Sequence, residues 1–142
     1  MQVREAMSSN THVIDPNTTI RDACQAMRED NVGCLPVCEN DRLIGMVTDR
    51  DIAMRAVATS HAPGTTSVRT VMSEHIFFCF DDVELEEAAK MMAEHQVHRL
   101  PVINRDKRLV GMLALADLAR HDADALKTAF VGIAEPTDQP RR

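Results

Sequence analysis

Three observations predict an α/β (α+β) fold made from two copies of one β-α-β-β-α unit. A pattern spans Val3 to Ile52 (V-R-x-x-M-S, I-x-x-A-C-x-x-M, V-x-x-L-P-V, L-I-G-M-V-T-D-R-D-I) and returns from Val68 to Leu118. Met7 and Met72 lie 65 positions apart, as do Met27 and Met92 and also Pro36 and Pro101, whereas Gly45 and Gly111 lie 66 apart. One residue is therefore inserted between the last two landmarks. Within each copy the hydrophobic period alternates between strand-like and helical in the same order. A duplication of this length predicts two like subdomains packed face to face, with any ligand held in the clefts between them.

The elements follow in order. Thr11 to Ile14, and Ile76 to Phe80 in the second copy, are short β-favouring stretches and are expected as strands. Helices should follow, because Ile20, Ala23, Cys24 and Met27 fall at i, i+3, i+4 and i+7, as do Leu85, Ala88, Ala89 and Met92. Asn17 and Asp82 stand just ahead of these helices as candidate N-caps. Leu35 to Cys38 and Leu43 to Val47 flank the polar turn Glu39 to Arg42 as a hairpin, matched by Leu100 to Ile103 and Leu109 to Leu113 around Asn104 to Arg108. Second helices start near Asp49 and Leu115. A further helix is expected beyond His121, with Leu126, Ala129, Phe130 and Ile133 as its apolar stripe, packed on its own module or on a second subunit. The expected partition is residues 1–58 for the first repeat, 59–67 for a linker carrying Pro63-Gly64 and 68–121 for the second repeat. Residues 122–142 make a C-terminal amphipathic helix and a flexible tail, disordered after Pro136.

Composition narrows the function. The chain has 142 residues, 44% of them hydrophobic, enough for one compact domain. No apolar run approaches the roughly 20 residues of a membrane helix, and the N-terminus lacks the apolar core of a signal peptide, so a cytoplasmic protein without membrane association is expected. A net charge of −6, with no Trp or Tyr to stack on bases, argues against nucleic acid as a partner. No nucleophile–base pair emerges; Ser8, Ser73 and the six histidines are not at diagnostic spacing, so no catalytic residue is assigned and the chain is read as a non-enzyme. Cys24 sits on the first helical stripe and is expected in the core. Cys34 and Cys38 have a metal-like spacing, but four residues of strand span about 13 Å, too far to share one zinc ion, so no metal ligand is assigned. The four cysteines should be reduced in the cytoplasm, with a redox-responsive disulfide between the first helix and the first L-P-V strand as the alternative.

V-x-x-L-P-V followed by G-M-V-T-D-R-D, then V-H-R-L-P-V-I followed by G-M-L-A-L-A-D, resemble the tandem cystathionine β-synthase (CBS) domain pair, or Bateman module. The resemblance covers about residues 1 to 120 and is greatest to small stand-alone bacterial CBS-pair proteins. It implies two sheets about a pseudo-twofold axis and clefts that take adenosine-containing ligands (AMP, ADP, ATP, S-adenosylmethionine, sometimes NAD) as regulatory ligands, with no cofactor required. It also implies frequent homodimers and a protein target that the sequence does not name.

The same resemblance assigns roles. Gly45 to Asp51 matches G-x-x-[TS]-x-x-D, in which the hydroxyl, here Thr48, contacts a phosphate and the carboxylate, here Asp51, accepts the ribose hydroxyls. A strand-to-helix junction suits this, since its free N–H groups meet an anion and a carboxylate takes two bonds from vicinal hydroxyls. Thr48 and Asp51 would equally form a capping box. The second copy keeps Asp117 but has Ala114 for the hydroxyl, predicting one competent and one degenerate site. His98 and Arg99 resemble the H-R-[IL]-P-V segment of AMP-sensing, energy-sensing relatives, which directs both at phosphates; a surface pairing of Arg99 with Glu94 is the alternative. Arg50 would add a third cation. Thr11, His12, Val13 and Val37 would line an adenine slot. A ligand-independent scaffold or oligomerisation module is the competing function, and Ala114 favours it.

Overall fold

The computed structural model describes residues 1–136, so the tail expected to be disordered beyond Pro136 lies outside the described residues. The fold is α+β, with helices flanking two small sheets. The chain forms two compact units. One is contiguous, His12–Ile76; the other is split, combining Met1–Thr11 with the chain from Phe77 onward. The packed units are thus a different partition from the repeats at 1–58 and 68–121. Each V-R-x-x-M-S arm joins the hairpin of the other sequence copy.

In the contiguous unit, α2 (Ile20–Asp30) buries Ile20, Ala23, Ala26 and Met27 and ends on Asn31 in the left-handed conformation. Its N-cap is Thr19, whose hydroxyl accepts from Asp22 N at 3.1 Å. Asn17, the expected cap, instead donates its own N–H to Asp15 Oδ1 in a tight turn two residues too early. Strands β1 (Cys34–Glu39) and β2 (Arg42–Thr48) pair antiparallel. The two loop residues Asn40 and Asp41 both have positive φ, the signature of a two-residue primed turn. The strand expected at Thr11 to Ile14 shrinks to one parallel bridge, Ile14 to Val37. Helix α3 (Asp49–Ile52) continues into a π-helical turn (Ala53–Val57). The second arm, with a 3-10 turn at Val68–Thr70, closes this unit by burying Val68, Val71 and Met72.

The split unit repeats the plan with additions. Helix α1 (Val3–Ala6) belongs here, its Val3 N–H bonded to Val83 O and its first residue fully buried. Strands β3 (Cys79–Phe80), β4 (Arg99–Ile103) and β5 (Leu109–Ala114) form a three-stranded sheet, β3 parallel and β5 antiparallel to β4. Helix α4 (Leu85–His95) begins after Glu84, not at the expected cap Asp82, which is held by a two-pronged bond from Arg105 at 2.8 and 2.9 Å. The inserted residue lies in the β4–β5 turn, where Asn104 Oδ1 accepts from the N–H groups of Asp106 and Arg108, and Lys107 takes positive φ. Helix α5 (Leu115–His121) leads into α6 (Ala123–Ala134), N-capped by Asp122.

Helix α6 packs on α4 of its own unit and corrects two expectations. A Cβ on Gly132 would stand 2.2 Å from Ala93 Cβ, so the helices meet through small residues. The buried stripe is therefore Ala125, Ala129 and Ile133, while Phe130 is 60% exposed. Cys24 is exposed, although its counterpart Ala89 is fully buried in the same cluster as Ala125 and Ala129. Equal spacing along two helices gave unequal burial because only α4 has such a helix laid across it.

Candidate functional site

The strand-to-helix junctions at Thr48 and Ala114 are positioned by two devices common to both units. First, the residue before each first hairpin strand accepts a bond from the first helical N–H: Asp49 N to Gly33 O at 2.9 Å, and Leu115 N to His98 O at 3.2 Å. Second, an arm seals each hairpin. Met46 and Ser73 exchange backbone bonds at 3.0 and 2.8 Å, and Met112 and Ser8 do so at 2.9 Å. Gly45 and Gly111 permit the approach. A Cβ there would meet Ser73 O at 2.9 Å or Ser8 O at 2.6 Å, closer than a carbon can stand to an oxygen.

In the contiguous unit Thr48 and Asp51 form a complete capping box: Asp51 N donates to Thr48 Oγ1 and Thr48 N donates to Asp51 Oδ2, both at 3.0 Å. The box and a ligand role are compatible, because the two groups have capacity left over. The Thr48 hydroxyl uses a lone pair in the box and keeps its hydrogen to donate. Asp51 is buried, with 9% exposure, but its Oδ1 accepts no bond among the described residues. No fully buried side-chain oxygen there lacks a partner, so Oδ1 reaches solvent. The box holds one oxygen of a carboxylate whose second oxygen keeps its capacity to accept.

The other candidates divide. Arg50 is exposed beside Asp49, and no ion pair involves it among the described residues. His12 is exposed and its Nδ1 lies 2.9 Å from Asp30 Oδ2. Val13 is 42% exposed. Val37 is fully buried in the core, so only its backbone is available to a ligand. In the split unit, Thr11 donates to Ser8 O at 3.4 Å. His98 and Arg99 are exposed; Arg99 makes no ion pair with Glu94 or any other described residue. Arg99 stands directly across the ladder from Ala114, on the same face as the missing hydroxyl. Asp117 is 4% exposed; its Oδ2 accepts from Ala114 N at 2.8 Å, giving half of a capping box, and its Oδ1 is paired with Arg120. Arg120 is not among the residues the motif implies, although a cation three residues after a carboxylate on a helix is a legible signal.

The CBS domain family matches residues 3–57 and 68–124. The chain belongs to the CBS domain family, as a tandem pair. It is 42% identical over 117 residues to the CBS domain-containing protein YhcV of Bacillus subtilis, covering 82% of each chain. The crystal structure of Hypoxic Response Protein I with two coordinated zinc ions is similar at a TM-score of 0.78 and 37% identity, over 85% of this chain and 98% of that one. CBSX2 in complex with AMP is similar at a TM-score of 0.72 and 28% identity, over 84% and 93% of the two chains. Among the described residues no three His, Cys, Asp or Glu side chains gather as a metal site. None of their helices is long and apolar enough to cross a membrane.

Proposed function

We propose that this CBS pair is a non-enzymatic regulatory module that binds an adenosine-containing ligand, AMP, ADP, ATP or S-adenosylmethionine. Asp51 accepts the ribose hydroxyls and Thr48 donates to a phosphate. The observation that carries the reading is that Oδ1 of the largely buried Asp51 has no partner among the described residues and is not sealed from solvent, while the capping box holds Oδ2. The AMP bound to a relative of similar fold supports the ligand class. In the contiguous unit Arg50, exposed and without an ion pair among the described residues, is the cation for phosphate, and His12, Val13 and the Val37 backbone are adenine contacts; in the split unit His98 and Arg99, likewise exposed and without ion pairs, and Thr11 are the corresponding candidates. A homodimer that reports to a protein target completes the reading, and the exposed apolar side chains Met54 and Val57 support it. A cytoplasmic setting, in which the thiols stay reduced, belongs to the same reading.

Thermal unfolding with each ligand tests this. Ligand at 100 times its Kd adds about 2.7 kcal/mol, a rise of several degrees in Tm, and Asp51→Ala should abolish the rise while the fold persists. An unchanged ligand response in Asp51→Ala would reduce the motif to its capping role. The absence of a shift with any ligand would favour the scaffold reading, for which Ala114 and the occupied Asp117 are the specific observations.

A further inference from the structure

The two copies of the motif differ at a second position besides the hydroxyl. Asp51 and Asp117 use Oδ2 identically, each taking the N–H of the residue three before it. Their other oxygens part company. Asp117 Oδ1 is held by the guanidinium of Arg120, with the carboxylate side chain 6% exposed and the arginine side chain 64% exposed. Three residues after Asp51 stands Met54, which has no donor, and Asp51 Oδ1 is open. Arg99 plays no part in this closure, since it makes no ion pair among the described residues.

We propose that Arg120 is a specificity-determining residue that closes the second motif to ribose. It occupies the one carboxylate oxygen that vicinal hydroxyls would need, leaving one ribose-accepting carboxylate per chain. The inference rests on the reading of Asp51 given above and extends it. A ribose arriving at Asp117 must displace a guanidinium, exchanging bonds between two ionised groups for bonds in which only the acceptor is ionised. At Asp51 the same hydroxyls displace water. The loss of the hydroxyl at Ala114 and the closure by Arg120 thus act on different parts of a nucleotide, its phosphate and its sugar.

Calorimetric titration of the full chain with AMP and with 2′-deoxy-AMP tests the inference. The proteins are wild type, Asp51→Ala, Arg120→Met, Arg120→Lys and the Asp51→Ala/Arg120→Met double variant; methionine is the side chain present at position 54. Wild type should bind one AMP and Arg120→Met should add a second event. In the Asp51→Ala background, Arg120→Met should restore an AMP-binding event at least about tenfold tighter than any residual binding by Asp51→Ala, equivalent to about 1.4 kcal/mol. Arg120→Lys, which keeps a cation, should behave as wild type, and 2′-deoxy-AMP, lacking the diol, should gain nothing. The inference is overturned if the double variant binds AMP no tighter than Asp51→Ala, or if 2′-deoxy-AMP gains as much as AMP. Should AMP ignore Asp51→Ala while Arg120→Met still tightens it in a diol-dependent way, the reading of the first motif fails and that of Arg120 stands. The opposite pair of results fails Arg120 alone, and no AMP binding by any variant overturns both.

Discussion

At the scale of single residues, the Thr48–Asp51 box separates stability from recognition. Thr48→Ala removes the acceptor for Asp51 N and should cost about 0.5–2 kcal/mol in chemical denaturation, whereas Thr48→Ser should cost much less, because serine caps as well as threonine. The cysteines give a second residue-scale expectation. Burial disfavours the thiolate, pushing Cys38 from 9.0 up to about 11 and Cys79 up to about 12, with nearby carboxylates adding to both. At pH 8 Cys24, exposed and only partly desolvated, should alkylate before either, and Cys79 last. The same shifts set a pH dependence. Above about pH 9 the unfolded chain releases protons that the folded chain still holds, so the thiols' contribution is complete below pH 9 and is lost as pH rises towards 11–12. Urea midpoints measured across pH 8.5–11 should therefore fall steadily, and Cys79→Ala should flatten the decline.

At the scale of elements, the close approach of arm to hairpin makes Gly45 and Gly111 a matched pair. An alanine at either position drives a methyl into a backbone carbonyl oxygen, which cannot rotate away as a flexible side chain could. Gly111→Ala and Gly45→Ala should each cost about 1–3 kcal/mol in urea denaturation, the usual range for overpacking. The elements themselves were largely legible in the sequence. Helices α2 and α4 follow their i, i+3, i+4, i+7 stripes, both hairpins fall where the L-P-V and G-M runs place them, and the inserted residue sits in the second turn. The misses have a common cause: a periodicity reports which face of a helix is apolar, not what is laid against it. Cys24 is exposed and Ala89 is buried because α6 covers only one of two similar helices. Phe130 is outside because the close Gly132–Ala93 contact turns the Ala125, Ala129 and Ile133 side of α6 to α4, and Phe130 lies off that side. The caps lie two residues after those expected: Thr19 supplies the capping oxygen of α2 while the Asn17 backbone is tied into a turn with Asp15, and the Asp82 carboxylate is taken by Arg105. Thr48, Asp51 and Asp117 are candidates through the motif that the resemblance implies, and the bonds from Thr48 N to Asp51 and from Ala114 N to Asp117 match its spacing; the i, i+3 spacing of Asp117 and Arg120 permits their pairing, and the rotamer that makes it is visible only in the structure.

At the scale of the whole molecule, the feature hidden from the sequence is the exchange of arms. Two segments of the same V-R-x-x-M-S pattern could each seal either of two similar hairpins, and the pattern carries no information on which. In the folded chain Met1–Thr11 joins the unit that begins at Phe77, and the second arm joins His12–Ile76. Val3 and Ala6 share a core with Leu85, Leu100 and Leu113, 79 or more residues distant, and none with the hairpin that follows them in sequence. Deleting residues 1–8 strips the split unit of that burial, of the Ser8–Met112 bridge and of the Val3–Val83 and Arg4–Asp81 backbone bonds. Hydrogen exchange of the truncated chain should therefore lose protection first and most in Leu109–Ala114 and Leu85–His95, while Cys34–Glu39 and Arg42–Thr48, nearer in sequence, keep theirs. Exchange should respond because amide protection follows the free energy of local opening, which depends on the contacts an element has lost and not on its distance along the chain. Protection lost first in the Cys34–Thr48 hairpin would mean that each arm serves its own repeat in solution, and the partition at residues 11 and 76 would then be wrong.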